Sequence, residues 1–129
     1  MKIAVVGATG LVGSVILRVL EEGRYIPFDR IDSIIPVASE KSIGKTLFFN
    51  NMPVKVVSVE DAISMEPSVA IFSAGAAASR LYTPMFAQAG IPVIDNSSAW
   101  RMDPSVPLIV PEINASILTK SNKIIANPN

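Results

Sequence analysis

Three features of the sequence predict an α/β fold with a doubly wound, mostly parallel sheet and helices on both faces. Short β-branched apolar runs alternate with helix-spaced segments. The first run opens directly into a glycine-rich turn at the head of an amphipathic helix. The 129 residues suit one domain, and with half of them hydrophobic there is apolar material for one ordinary core.

Lys2 to Val6 is a nearly all-apolar run bounded by glycine, as expected of a strand buried on both faces. It is too short for a signal h-region or a membrane span, so a soluble, cytoplasmic protein is expected. After Gly7 to Gly13, residues Leu11, Val12, Val15, Ile16, Val19 and Leu20 recur at helical spacing. Ser14, Arg18, Glu21 and Glu22 turn away, and Gly23 is the stop. Ile31 to Val37 reads as a second buried strand, with Pro36 against it. Thr46 to Asn50 and Val54 to Val57 read as two short strands around the turn Asn50-Asn51-Met52-Pro53. Ser58 is placed to cap a short helix beginning near Glu60 and Asp61.

Val69 to Phe72 is a further strand, running into Ser73-Ala74-Gly75 and then an alanine-rich helical stretch to Ala89. Pro84 either starts a new segment of that helix or kinks the old one. Ile91 to Ile94, Leu108 to Val110 and Lys123 to Ala126 complete the strands, with a helical turn around Asn114 to Leu118. There is no internal repeat or low-complexity tract. The ending Asn127-Pro128-Asn129, directly after an apolar strand, reads as a cut at a strand's C-terminal edge, where such folds place their sites.

Eleven basic residues balance eleven acidic ones, so no global field draws in nucleic acid or an anionic membrane. Neither cysteine nor histidine occurs. Disulfides and thiolate zinc sites are excluded, and the commonest general base is missing. Hydride-transfer or acyl-transfer chemistry would have to draw on a cofactor or on further sequence.

Gly7-Ala8-Thr9-Gly10-Leu11-Val12-Gly13 carries the spacing Gly-x-x-Gly-x-x-Gly between strand and helix. Gly7 permits the tight turn, Gly10 lets backbone approach a pyrophosphate, and Gly13 lets helix pack on sheet. The helix N-terminus offers amides to phosphate. A glycine-rich turn without a ligand is the bland alternative, and the strand-turn-helix context at the extreme N-terminus favours nucleotide binding. For the choice of nucleotide, Asp32 lies at the start of the second strand, which is the wrong end for a ribose-binding carboxylate. The other end reads Ala38-Ser39-Glu40-Lys41-Ser42-Ile43-Gly44-Lys45, where two hydroxyls and two lysines could hold a 2′-phosphate. Glu40 either bonds a ribose or points to solvent. NADP is favoured over NAD on this pattern.

At this point the chain resembles the aspartate-semialdehyde dehydrogenases along its whole length. The resemblance rests on the glycine segment, on Ala38 to Lys45, on Phe72-Ser73-Ala74-Gly75, on Val93 to Arg101 and on Val106 to Asn114. The last two, with the Asn-Pro-Asn ending, are the specific ones. The resemblance implies an NADPH-dependent, homodimeric parent that reduces aspartyl-4-phosphate to aspartate 4-semialdehyde with release of phosphate. That places it in aspartate-family biosynthesis of lysine, methionine and threonine. It further implies a cysteine nucleophile immediately after Asn129 and a downstream histidine, so that residues 1–129 form the dinucleotide-binding domain without the catalytic and dimerisation domain and are inactive alone.

The resemblance carries residue roles over one by one. Arg101 matches a substrate-phosphate arginine, for which a planar guanidinium is suited; without the family it would be a loop arginine beside a turn. Asn96 matches a residue near nicotinamide and substrate, and Asn129 would adjoin the nucleophile. Gly7, Thr9, Gly10, Leu11, Val12 and Gly13 match the pyrophosphate turn, and Ser73, Ala74 and Gly75 a second cofactor-contacting turn. Ser39, Lys41 and Ser42 match the 2′-phosphate cluster, where lysine stands at a position commonly arginine and loses the bidentate fork. Trp100 is read as packing.

Three other readings remain. An N-acetylglutamyl-phosphate reductase has similar chemistry on a similar domain, but the Asn96 to Arg101 and Ser39 to Ser42 runs fit the aspartate enzyme better. A short-chain dehydrogenase needs Tyr-x-x-x-Lys, and neither Tyr25 nor Tyr82 is followed by it. A non-enzymatic nucleotide-binding module is the reading from a different class, which the absence of cysteine and histidine superficially favours.

Overall fold

The computed structural model describes residues 1–128. In order the chain forms β1 (Lys2–Val6), α1 (Leu11–Glu21), β2 (Ser33–Val37), β3 (Thr46–Phe49), β4 (Met52–Lys55) and α2 (Val59–Ser64). It continues with β5 (Val69–Phe72), α3 (Ala76–Gln88), β6 (Val93–Asp95), α4 (Pro111–Asn114) and β7 (Ile124–Ala126). A five-stranded sheet runs β2-β1-β5-β6-β7, and each pairing in it is parallel. The strand order reverses between β1 and β5, the switch point of a doubly wound sheet. The predicted fold class is the observed one.

Alternation along β1 explains the two faces. Ala4 and Val6 pack with Ile35, Val37, Phe72 and Phe86 under α2 and α3. Ile3 and Val5 pack with Leu17, Leu20 and Ile34 under α1 and the β3–β4 hairpin. Both sides of the strand are therefore dry, as its all-apolar sequence requires. Phe72 and Phe86 meet edge-to-face with centroids 5.4 Å apart, locking α3 onto β5.

Several expectations are corrected. In α1 the buried residues are Gly13, Leu17 and Leu20; Leu11 is 84% exposed, and Val12, Val15 and Val19 are exposed too. The apolar periodicity was broad enough to hide which side faces the sheet. The second strand begins at Ser33, not Ile31, because residues 28–30 form a 3-10 turn and Asp32 is engaged with the Met1 amine at 2.8 Å. The hairpin turn is only Asn50-Asn51, both with positive φ, so Met52 and Pro53 belong to β4. Asparagine tolerates that conformation, and a two-residue turn of this hand matches strand twist.

The strand expected at Ile91–Ile94 is Val93–Asp95, and Leu108 to Val110 contributes only an isolated bridge from Leu108 to Ala126. The helical turn expected at Asn114–Leu118 starts at Pro111 and continues as a 3-10 turn, Ala115–Ile117. Pro84 lies inside α3, which runs unbroken to Gln88. Ser58 does cap α2, its hydroxyl accepting the Asp61 amide at 3.0 Å.

Both outer strands of the sheet carry a further contact. Beyond β2, the Pro36 carbonyl accepts the Val57 amide at 2.9 Å. Pro36 thus points its missing donor away from β1, where no ladder bond is lost. Beyond β7, the Ile109 amide donates to the Ala126 carbonyl at 2.9 Å and the Ala126 amide to the Pro107 carbonyl at 2.9 Å. Among the described residues, no helix is long and apolar enough to cross a membrane.

Candidate functional site

The C-terminal ends of the five parallel strands are stitched together by one row of backbone bonds. The Val37 carbonyl accepts the Gly7 and Ala8 amides at 2.8 and 3.1 Å, and the Val6 carbonyl accepts the Ser73 amide at 2.8 Å. The Phe72 carbonyl accepts the Asn96 amide at 3.0 Å, and the Asp95 carbonyl accepts the Asn127 amide at 2.9 Å. Each loop leaving a strand is thereby pinned to the end of its neighbour. The row strings the glycine turn, the Ser73 turn, the Asn96 loop and Asn127 along one edge.

At the switch point this edge opens into a cleft of ≈ 810 Å³. Gly7, Thr9, Gly10, Ser39, Lys41, Ser73 and Ala74 line it, so residues from three of the predicted segments share one wall. Glycine is needed at 7 for two reasons. Its φ is +90°, and a Cβ there would lie 2.5 Å from the Ser73 carbonyl oxygen. Gly10 differs: its φ is −83°, and a Cβ would meet only the Gly7 oxygen, at 3.3 Å. A side chain at 10 would press on that one backbone oxygen without the overlap found at 7. No side chain caps α1, and the first amide to bond within it is that of Ser14, on the Gly10 carbonyl at 2.9 Å. The Leu11, Val12 and Gly13 amides precede that bond, in the position where helices bind anions.

The remaining expected residues are placed differently. Leu11, Val12 and Gly13 form the first turn of α1 and do not line the cleft; Gly75 lies beyond it as the N-cap of α3. Ser42 is buried, its hydroxyl accepting Lys45 Nζ at 3.5 Å, and it stands outside the cleft wall that Ser39 and Lys41 form. The 3-10 turn at Glu40–Ser42 rotates it inward. Glu40 does line the cleft, beside Lys41. Sequence reasoning missed Glu60 and Tyr82, which also line it. A signal for each existed. Glu60 lies in the first turn of the helix after the strand-like Val57, and Tyr82 follows Ala78 by one helical turn in α3.

Further along the edge a second group forms. Arg101 Nη2 donates to the Asn96 carbonyl at 2.9 Å and its Nε to the Asn127 carbonyl at 3.1 Å. The Asn127 carboxamide donates to Asn96 Oδ1 at 2.6 Å. Asn96 and Arg101 were expected together; Asn127 was not singled out, although the Asn-Pro-Asn segment contained it. Asn129 lies outside the described residues. Beneath the group is Asp95, fully buried, whose Oδ1 accepts the Ser79 hydroxyl and the Ser97 amide, both at 2.9 Å, while Oδ2 accepts the Ser97 hydroxyl at 2.8 Å. This carboxylate ties α3 to the Asn96 loop, and sequence reasoning gave it no role. Trp100 is half-buried with its Nε1 enclosed and unpartnered among the described residues, in keeping with a packing residue. No cluster of three acidic side chains suited to a metal occurs among the described residues.

Comparison with known proteins bears on the family and the fold. The chain is 47% identical over 131 residues to the aspartate-semialdehyde dehydrogenase of Aquifex aeolicus, covering 99% of this chain and 37% of that protein. The structure of aspartate semialdehyde dehydrogenase II from Vibrio cholerae, complexed with ASA, superposes with a TM-score of 0.88 at 43% identity, covering 99% of this chain and 41% of that one. The Candida albicans enzyme, solved with NADP, shares the fold at a TM-score of 0.80 and 23% identity, covering 99% and 42%. The chain thus spans well under half the length of the relatives it matches. The family model described as semialdehyde dehydrogenase, NAD binding domain, matches residues 2–121, and the chain belongs to that family.

Proposed function

We propose that this chain is the NADP-binding domain of an aspartate-semialdehyde dehydrogenase, whose parent reduces aspartyl-4-phosphate to aspartate 4-semialdehyde with release of phosphate. The observation that carries the nucleotide part is Gly10. A glycine with an ordinary φ, at the head of an uncapped helix and on the wall of a cleft, fits a ligand that approaches the backbone closely. A dinucleotide pyrophosphate has that shape and charge. Gly7, Thr9, Gly10 and the first amides of α1 would hold it, with Ser73 and Ala74 on the neighbouring turn.

Lys41 and Ser39 supply a cation and a hydroxyl on the wall beyond β2. They favour the 2′-phosphate of NADP, and Glu40 is the residue that would instead favour the ribose of NAD. The reduced nicotinamide would supply hydride. The chain's own contribution is binding and orientation, since it has neither cysteine nor histidine to attack an acyl group or carry its proton. Arg101 and Asn96 would position the substrate, an acyl phosphate of small size, with Asn129, outside the described residues, as a further substrate-binding residue. The groups that react and the homodimer contacts belong to the remainder of the parent, a cytoplasmic enzyme. The sensor reading rests on the lack of cysteine and histidine alone.

The test is a titration of the chain with NADPH and with NADH, followed by nicotinamide fluorescence. Saturable binding with NADPH at least tenfold tighter is expected. Tighter NADH assigns the ribose to Glu40 and overturns NADP; binding of neither by the folded chain overturns the nucleotide site.

A further inference from the structure

We infer that Asn127 is a positioning residue for the Asn96–Arg101 group, acting through its side-chain amide on the Asn96 carboxamide. This rests on the substrate-site reading of Asn96 and Arg101 given above.

The argument begins with what fixes Asn96. Its backbone is held on two sides, by the bond from its amide to the Phe72 carbonyl and by the turn that Asp95 makes with Ser97. Neither contact sets the rotation of its carboxamide. An asparagine side chain offers an oxygen that accepts and a nitrogen that donates, and a half-turn exchanges them. The 2.6 Å bond from Asn127 Nδ2 engages Oδ1 and so directs the Asn96 NH2 group elsewhere, as a donor. A donor is what an acyl-phosphate substrate, rich in acceptor oxygens, needs.

Asn127 is itself held firmly. Its amide is bonded to the Asp95 carbonyl, and its own carbonyl receives Arg101 Nε. One residue therefore sets the carboxamide of Asn96 and, through its carbonyl, one side of the Arg101 guanidinium. Nη2 of the same arginine sits on the Asn96 carbonyl, which closes a ring of three residues across β6 and β7. A guanidinium gripped at two nitrogens loses rotamer freedom before substrate arrives, a preorganisation that lowers the entropy cost of binding.

The polarity of the bond gives the test. Asn127→Asp keeps the size and one accepting oxygen but has no N–H to donate, and it sets an acceptor against Oδ1. Asn127→Ala removes the contact. Both are made in the full-length enzyme, and the chain itself is labelled with 15N for NMR. The expected result is a tenfold or larger fall in kcat/KM for aspartyl phosphate in both variants, with the NADPH Kd within twofold of wild type. The double variant Asn96→Ala/Asn127→Ala should be no slower than Asn96→Ala, because both act through one contact. Additive losses, or full activity of Asn127→Asp, overturn the inference.

An activity-independent arm separates this from the function itself. In the chain, Asn127→Asp should turn the Asn96 carboxamide so that its NH2 donates to the new carboxylate, and exchange of the Asn96 carboxamide protons should slow at least tenfold. If the wild-type enzyme does not use aspartyl phosphate, the proposed function fails, and exchange alone then decides the positioning role. Unchanged exchange overturns it.

Discussion

Gly13 lies so close to Gly7 that a Cβ built on it would sit 2.1 Å from the Gly7 carbonyl oxygen and 2.8 Å from the Ala8 Cα. Both obstacles are backbone, and that backbone is pinned to β2 through the Val37 carbonyl. Alanine in a helix ordinarily gains up to about 1 kcal/mol over glycine. Here the sign reverses. Gly13→Ala should lose at least ~2 kcal/mol as α1 is pushed off the turn, read from the urea midpoint followed by circular dichroism.

Gly10→Ala makes the opposite case. Its backbone is extended and an added Cβ would press on one atom, the Gly7 carbonyl oxygen at 3.3 Å, so folding stability should fall by about 1 kcal/mol, less than for Gly13→Ala. Nucleotide affinity should nonetheless fall at least ~tenfold, equivalent to about 1.4 kcal/mol. Fluorescence titration of a variant shown to be folded separates the two effects. Undiminished NADPH binding would detach Gly10 from the site.

Lys41 tests the choice of nucleotide. A charge-assisted bond to a phosphate contributes about 1.5–3 kcal/mol, less where the lysine is exposed and screened, as here. Lys41→Ala should weaken NADPH about tenfold and leave NADH within twofold. The NADPH loss should shrink as salt is raised.

Asp95 is a buried carboxylate with hydrogen-bonded neighbours on both oxygens. Asp95→Ala leaves the fully buried Ser79 hydroxyl without its acceptor and should cost about 3 kcal/mol. Asp95→Asn keeps one accepting oxygen, and Ser97 can accept from the new amide, so the loss should be smaller. Thermal unfolding of the pair ranks them.

Two exposed carboxylates set an acid limb. Asp32 is held below its ordinary value of 3.8 by the hydrogen bond and charge of the Met1 amine, and Asp103 below 3.8 by bonds from the Ser105 hydroxyl and amide. Folding depresses both, so their contribution is present at neutral pH. It is lost as pH falls below the ordinary value and through the folded one. Asp32→Asn should therefore destabilise at pH 7 and converge with wild type in strong acid, where both side chains are uncharged. Nucleotide binding at neutral pH should not change.

The parts of the molecule that were legible are those where one residue type admits one explanation. β1, β5 and the Ser58 cap were located correctly because an all-apolar run before glycine, or a serine before two acids, has few other uses. The apolar side of α1 was not, because Leu11, Val12, Val15 and Val19 are as hydrophobic as the buried Leu17 and Leu20. Periodicity ranks faces only when their polarity differs. At the site, the cleft walls contributed by Gly7, Gly10, Ser39 and Ser73 came from local motifs. The Asp95 network and the Asn127 contact did not, since each joins residues well apart in sequence, 16 for Ser79–Asp95 and 31 for Asn96–Asn127. Such pairs exist only once the strand order brings their loops together.

The extra contacts flanking β2 and β7 have a bearing on how molecules of this protein meet one another. An outermost strand with open amides and carbonyls is a template on which a foreign strand can grow, the route to fibrils and swapped dimers. Here Pro36 removes a donor on one flank while Val57 occupies its carbonyl, and residues 107–109 shield the three-residue β7 on the other. Main-chain recruitment is blunted at both margins. Side chains remain as a route to self-association, and the exposed Leu11, Val12, Val15 and Val19 give α1 one such apolar surface.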